Sequence, residues 1–360
     1  MTSLLALGPD ALADFVAERG GQRFHAKALR RNVVARGVLD YASMTDLPAA
    51  LRARLDEDLP IFSGRLGAVS EARDGTRKLL LSFSRGGEAE GELAVETVHI
   101  PPHKPLDGDG SPRGATLCVS SQAGCPVGCP FCASGLLGLE RNLEHHEILE
   151  QFIRGRDLGP LRRAVVMGIG EPLLNLENLE RALDAVRDEM GLGARKITVS
   201  TVGFPGRLRR LAERSPRFQL AISLHTPFQE ERDELVPAMA GVPIEDVLAA
   251  GDHWFETTGR EVTYEYVLLG GVNDSPRHAE ALANRLRGRR CGVNLIPYNP
   301  TPELPYARPG SGDPEAFQEF LQERGVVATI RWSRGLHGAA ACGQIGRAHV
   351  STPVTTISRM

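Results

Sequence analysis

Eight residues, Cys125-Pro-Val-Gly-Cys129-Pro-Phe-Cys132, constrain this chain of 360 residues more than any other stretch. They set three cysteines in C-x3-C-x2-C spacing, in a short loop between an apolar strand and a helix. Thiolates so spaced suit three corners of a cubane [4Fe-4S] cluster and leave its fourth iron without a protein ligand, open for chemistry. A structural zinc site is the competing reading. It needs a fourth ligand, for which Cys118, His145 and His146 are the candidates, and the spacing departs from the usual paired C-x2-C knuckles.

Composition narrows the class. Hydrophobic residues at 42% and charged residues at 24% are those of an ordinary globular chain. No apolar run of about 18 residues and no signal-peptide pattern is present, so no membrane partner and a cytoplasmic location are expected. Six cysteines, three of them crowded into the one loop, do not read as a secreted disulfide framework, and an oxygen-sensitive cluster needs a reducing compartment. The net charge of −3 conceals a basic stretch in which Arg19, Arg23, Lys27, Arg30, Arg31 and Arg36 occur with no acidic residue between them. It reads equally as a surface for a phosphate backbone and as a solvated helix face.

Taken in order, residues 1–60 read as a small helical module, with Pro9 and Asp10 opening one helix, Gly20-Gly21 closing it, and Asp46 and Pro48 starting another. Residues 61–103 change to strand-like runs at 78–83 and 93–100, a β-ribbon connector. The stretch 101–114 is an exposed Pro/Gly/Asp-rich loop or linker. From 104 to 344 the pattern alternates. Strands are predicted at 115–120, 164–167, 196–201, 219–223, 262–268, 292–296 and 326–332, with helices at 143–154, 176–190, 244–257, 277–287 and 314–323. Repeated β-α units predict an α/β fold with a parallel sheet, open or rolled into a full or partial (β/α) barrel, and active groups at the C-terminal strand ends.

Polar residues gather at those ends. Gly168-Ile-Gly170-Glu171-Pro172 follows one strand, and its bare backbone can hold an amino acid head group. Ser200, Ser223-Leu-His225 and Asn299 follow others. Three cysteines remain: Cys291 reads as a packing residue, Cys118 lies within the first barrel strand, and Cys342 lies in the small-residue run Gly338-Ala-Ala-Ala-Cys342-Gly-Gln344.

Taken together, Cys118-Val-Ser-Ser-Gln122-Ala-Gly-Cys125, the cysteine loop, Gly170-Glu-Pro-Leu-Leu-Asn175, Ser223-Leu-His225, Asn294-Leu-Ile-Pro-Tyr-Asn-Pro300 and Ala340-Ala-Cys-Gly-Gln344 resemble the RlmN/Cfr family of radical S-adenosylmethionine (SAM) RNA methyltransferases. The resemblance runs from about Phe24 to Gln344, and Ala26-Lys27 with Met44-Thr-Asp-Leu-Pro48 resembles the family's RNA-contacting accessory domain. It implies a partial barrel of the radical SAM type, a [4Fe-4S] cluster on Cys125, Cys129 and Cys132, and two SAM molecules per turnover. By the same resemblance Cys342 is the thiol that carries a methyl group, Cys118 resolves the adduct by disulfide exchange, and Glu96 accepts the substrate's proton. SAM contacts carried over are Gly170, Glu171, Ser200, Ser223, Leu224, His225 and Asn299. The implied substrate is an adenosine ring carbon, carbon 2 favoured, in large-subunit ribosomal RNA, with transfer RNA as a second substrate. An external electron donor and a monomeric enzyme complete the expectation.

The chain departs from the family in three places. The loop at 103–114 is longer, Leu336-His-Gly-Ala339 replaces an acidic segment, and an aromatic residue is missing near Asn32. The likeness stops after Gln344, and residues 345–360 read as a non-native tail that resembles a translated sequencing adapter. Two alternatives stand beside this reading: a radical SAM enzyme acting on a non-RNA substrate, and a zinc-stabilised RNA-binding protein.

Overall fold

A computed structural model describes residues 2–86, 91–102, 113–136, 138–336 and 340–346. Most of the loop at 103–114, the residues His337, Gly338 and Ala339, and 347–360 of the expected non-native tail lie outside the described residues.

The N-terminal module holds α1 (Pro9–Glu18), α2 (Arg23–Arg30) and α3 (Ala49–Asp58), with a π-helical turn over Arg31–Arg36 that ends at Gly37. Leu12, Val16, Leu29, Val33, Leu51 and Leu55 form its apolar centre. The basic stretch is largely spent inside the molecule: Arg19 pairs with Asp58, Arg23 with Asp10 and Asp14, and Arg31 and Arg36 with Asp46. Arg30 makes a two-pronged pair with Glu189 at 2.7 and 2.8 Å. Lys27 and Phe24 stay exposed.

Strands β1 (Arg65–Glu71), β2 (Arg77–Ser84) and β3 (Glu92–Ile100) are antiparallel, and β3 pairs with β4 (Ala115–Val119). The ribbon read from sequence therefore continues directly into the main sheet. A two-stranded clasp follows, β5 (Gln122–Gly124) against β6 (Leu139–Asn142). Then come α4 (His145–Asp157), β7 (Leu161–Val166), α5 (Leu176–Asp188), β8 (Ile197–Thr201), α6 (Pro205–Glu213), β9 (Gln219–Ser223), α7 (Gln229–Leu235) and α8 (Ile244–Thr258). Strand β10 (Val262–Leu268), α9 (Pro276–Leu286), β11 (Cys291–Pro297), α10 (Asp313–Glu323) and β12 (Val327–Ile330) complete the order.

The sheet runs β1-β2-β3-β4-β7-β8-β9-β10-β11-β12 and is parallel from β4 onward. Its end strands do not pair, so the barrel is partial. Period-2 alternation sets the two faces. On β10, Glu265 and Val267 point to the interior cavity, while Tyr266 packs on Phe317 of α10 at 5.4 Å between ring centres. Tyr264 closes on α8 at Gly251, where a Cβ would lie 2.5 Å from the tyrosine oxygen. The helical module is bolted to the barrel by Arg156 of α4, whose guanidinium donates to the carbonyls of Val33, Val34 and Ala35. All seven parallel strands expected from sequence form. The expectation missed β1, the clasp, α6 and α7, which are short or carry no alternation.

Candidate active site

The cysteine loop is held from both sides. Asn175 Nδ2 donates to the carbonyls of Ser121 and Leu143 at 2.7 Å, and Gln151 binds both backbone groups of Ser120. Gln122 spans clasp and barrel, donating to Asn142 and accepting from the Glu171 N–H at 2.7 Å. Cys125, Cys129 and Cys132 line a single cleft. Burial raises all three thiols, Cys125 to about 12, and at Cys125 and Cys129 neighbouring cysteine charge adds to the effect.

The same cleft is lined by Gly170, Glu171, Ser200, Ser223, His225 and Asn299, which lie at or after the ends of β7, β8, β9 and β11, and by Cys342 beyond the last strand. Gly170 has φ +105, and a Cβ there would lie 2.6 Å from the Gln122 Cβ, so only glycine lets the backbone reach the cleft. The Glu171 carboxylate is consumed internally, accepting from Thr201 Oγ1 at 2.6 Å and from the N–H groups of Val202 and Leu173. Its side chain therefore braces the turn, and the peptide beside it faces the cleft. His225 sits at φ +66 with its carbonyl held by Asn273 and its Nδ1 accepting from the Val267 N–H. Burial, then the Arg232 charge, lowers His225 to about 3, so the ring is neutral. Leu224 is placed differently: its side chain is fully buried in the core and its N–H donates to the Glu265 carbonyl.

Cys342 is anchored against the cysteine loop. Asn299 Nδ2 donates to its carbonyl at 3.0 Å, Ala133 N–H donates to the Gly343 carbonyl, and Gln344 Nε2 donates to the Pro300 carbonyl. Cys118 meets Cys342 in an adjoining cleft together with Arg331. Burial, with the charge of Cys342, pushes Cys118 up to about 12, and Arg331 opposes the shift; burial likewise raises Cys342. A standing disulfide between them is not supported, which corrects that expectation for the resting protein: all six cysteines are free. Each sulfur is fixed by its own element, Cys118 by register between Val98 and Val165 and Cys342 by Asn299, so they share a cleft without being bonded.

Glu96 lies outside both clefts. It is 1% exposed, its Oε1 is 2.7 Å from Lys78 Nζ, and its Oε2 accepts from the Gly346 N–H. Sequence reasoning missed Glu265 and Arg331. Glu265 lines the main cleft, and Arg331 lies 4.0 Å from its Oε1. Burial raises the Glu265 carboxyl, against the pull of Arg331 and Asn294. A charged residue at the centre of Val262-Thr-Tyr-Glu265-Tyr-Val267 was the available signal.

These residues fit a cluster better than an ion. Among the described residues no three His, Cys, Asp or Glu side chains converge on one ion. A zinc ion draws its thiolates to about 2.3 Å, whereas a cubane bridges a wider ring of sulfurs. The fourth zinc ligand is also lacking in place: none of Cys118, His145 and His146 lines the cleft of the three loop cysteines.

A parallel sheet curled around a cleft, with three cysteines beyond its first parallel strand, defines a radical SAM enzyme. Residues 119–283 match the family model of the radical SAM superfamily, and residues 2–61 that of the ribosomal RNA large subunit methyltransferase N-terminal domain. A probable dual-specificity RNA methyltransferase RlmN of Rhodopirellula baltica is 44% identical over 96% of this chain and 90% of its own length. One of Synechocystis sp. is 41% identical over 95% and 94%. The crystal structure of a radical SAM methyltransferase from Sphaerobacter thermophilus is 39% identical, with TM-score 0.84, over 96% of this chain and 99% of that one. The chain belongs to the RlmN family of radical SAM RNA methyltransferases.

Proposed function

We propose that the protein methylates a ring carbon of adenosine, carbon 2, in large-subunit ribosomal RNA and in transfer RNA, through a methyl group carried on Cys342. The names of the relatives, dual-specificity RNA methyltransferase, support the RNA substrate. One observation carries the sulfur chemistry: Cys342 lines the cleft of the three loop cysteines and also the cleft of Cys118.

An adenine ring carbon is electrophilic, so direct displacement from SAM offers it no nucleophile. The residues resolve this by dividing the work between two SAM molecules. Cys342 gives up its thiol proton, against burial and with the Arg331 charge favouring the thiolate, and takes the methyl group of the first onto sulfur. A [4Fe-4S] cluster on Cys125, Cys129 and Cys132, when bound, supplies the electron that cleaves the second. The 5′-deoxyadenosyl radical would remove a hydrogen atom from the S-methyl group, the methylene radical would add to the ring carbon, and the adduct would lose one electron, returned to the cluster, and the ring-carbon proton to leave a closed-shell thioether. Cys118 thiolate then attacks the Cys342 sulfur; a sulfur–sulfur bond forms, the sulfur–methylene bond breaks with its electron pair left on carbon, and a proton from solvent completes the methyl group. The disulfide is transient, so free cysteines in the resting protein accord with it. Glu96 is the acceptor of the ring-carbon proton by family resemblance, and to act it has to gain access to the cleft and part from both Lys78 and the Gly346 N–H.

Gly170 and its neighbours hold the amino acid end of SAM, and Ser200, Ser223, His225 and Asn299 its remainder. Asn299 Oδ1 is buried without a partner, an acceptor awaiting a donor. The helical module at 1–60 delivers RNA through Lys27, Phe24 and the residues around them. An external one-electron donor is required, and the enzyme works as a cytoplasmic monomer. No helix among the described residues is long and apolar enough to cross a membrane.

Anaerobic reconstitution with SAM, a reductant and an RNA fragment tests this. The expected product co-elutes with 2-methyladenosine and disappears in Cys342→Ala with visible cluster absorption retained. Product formed by Cys342→Ala would overturn the reading.

A further inference from the structure

The barrel interior carries a polar rung that runs across four strands. Ser223, Glu265, Asn294 and Thr329 stand in register on four adjacent parallel strands, and so project from one face. Thr329 Oγ1 donates to Asn294 Oδ1 at 2.7 Å, and Asn294 Nδ2 donates to Glu265 Oε1 at 3.0 Å. The Arg331 guanidinium stands 4.0 Å from that same oxygen. One carboxylate oxygen is thereby fixed. The other, Oε2, belongs to a residue only 3% exposed, in the wall of the main cleft, and has no hydrogen-bond partner. A bare buried carboxylate oxygen is costly, and a ligand that brings donors to it is favoured over one that does not.

We propose that Glu265 is a ligand-binding residue whose Oε2 accepts the ribose hydroxyls of a nucleoside seated in the cleft. The inference rests on the proposed function, which places two ribonucleosides there, SAM and the target adenosine. Hydroxyls suit the position better than a base edge does. Adenine presents a donor beside an acceptor, and the Asn294 amide that would meet the acceptor is committed to Oε1. A diol brings two donors to an oxygen with two lone pairs, and the Ser200 and Ser223 hydroxyls, 3.4 Å apart, continue the row with groups that donate or accept.

Equilibrium binding to the anaerobic holoenzyme tests the assignment, using SAM and analogues lacking the 2′- or 3′-hydroxyl. The parent is expected to lose roughly tenfold in affinity for an analogue, the scale of a hydrogen bond to a charged group. Glu265→Ala should lose about as much for SAM and nothing further for the analogue. Glu265→Gln keeps the shape and one acceptor, so it should lose less; it carries the comparison if the alanine variant fails to fold or to hold cluster absorption. If the parent binds all SAM forms alike but discriminates against RNA with 2′-deoxyadenosine at the target, and the variants do not, the ribose is that of the RNA and the assignment stands. Equal loss in parent and variants on removal of every hydroxyl overturns it while leaving the proposed function intact. A parent that binds no SAM overturns both.

Discussion

Asn299 donates through Nδ2 to the carbonyl of Cys342 at 3.0 Å while its own Oδ1, on a residue 1% exposed, is left without a partner. One side chain thus fixes the segment that carries the thiol and offers an acceptor to the cleft. Asn299→Ala is expected to weaken SAM binding about tenfold and to slow methyl transfer onto Cys342 at saturating SAM. Equilibrium dialysis and intact-protein mass spectrometry measure the two effects. Unchanged values for both would remove the coupling.

The Cys342 segment is also clamped from the ribbon. Asp74 accepts from the Gly335 N–H at 2.8 Å, and Arg334 donates to the Asp74 and Pro101 carbonyls. Burial works against ionisation of Asp74, but the hydrogen bonds from Gly335 and Thr76 and the Arg334 charge outweigh it and hold the carboxyl at about 2. A carboxyl depressed in the folded state contributes stability above its ordinary value of 3.8, and that contribution is lost as pH falls toward 2. Solvent screening at this partly exposed site limits it to about 1 kcal/mol. Asp74→Asn should flatten the stability profile between those values and make the chain near Arg334 more open to proteolysis at neutral pH. An identical acid profile in parent and variant contradicts this.

Gly170→Ala puts a methyl group where the Gln122 Cβ would be 2.6 Å away, at φ +105. Strain of this kind costs about 1–3 kcal/mol, and the turn can relieve it only by moving into the cleft. The expected result is a lower melting temperature together with at least tenfold weaker SAM binding. Stability loss with unaltered SAM affinity would mean that this turn does not face the cofactor.

Arg232 is fully buried, donates to the Val202 carbonyl at 2.7 Å, and leaves Nε and Nη1 unpartnered near Cys129. A fixed positive charge beside a cluster favours its reduced form. Arg232→Met should shift the midpoint potential negative in a spectroelectrochemical titration. An unchanged potential would assign the guanidinium to packing alone.

Much of this was legible in the residues. Strands such as 219–223 and 262–268 are short apolar runs bounded by turn signals, and each forms at the expected positions. The C-x3-C-x2-C run and the strand-end residues Gly170, Ser200, Ser223, His225 and Asn299 come together in one cleft. What escaped was set by tertiary neighbours. The basic stretch looked like an uncommitted cationic face, but Asp46, Asp58 and Glu189, distant in sequence, consume most of it. Leu224 sits between two cleft residues with its side chain in the core and its N–H donated to the Glu265 carbonyl. Glu265 was hidden between two tyrosines, and only the register with Ser223 and Asn294 places it in the cleft.

The meeting of Cys118 and Cys342 beside the cysteine loop is the claim on which the proposed chemistry stands. Mass spectrometry of anaerobic Cys118→Ala protein, after turnover with SAM, reductant and RNA, tests it most directly. The expected result is RNA joined to Cys342 through one added carbon, with no free methylated product. Normal release of methylated RNA by this variant, or an adduct on any other residue, would contradict it.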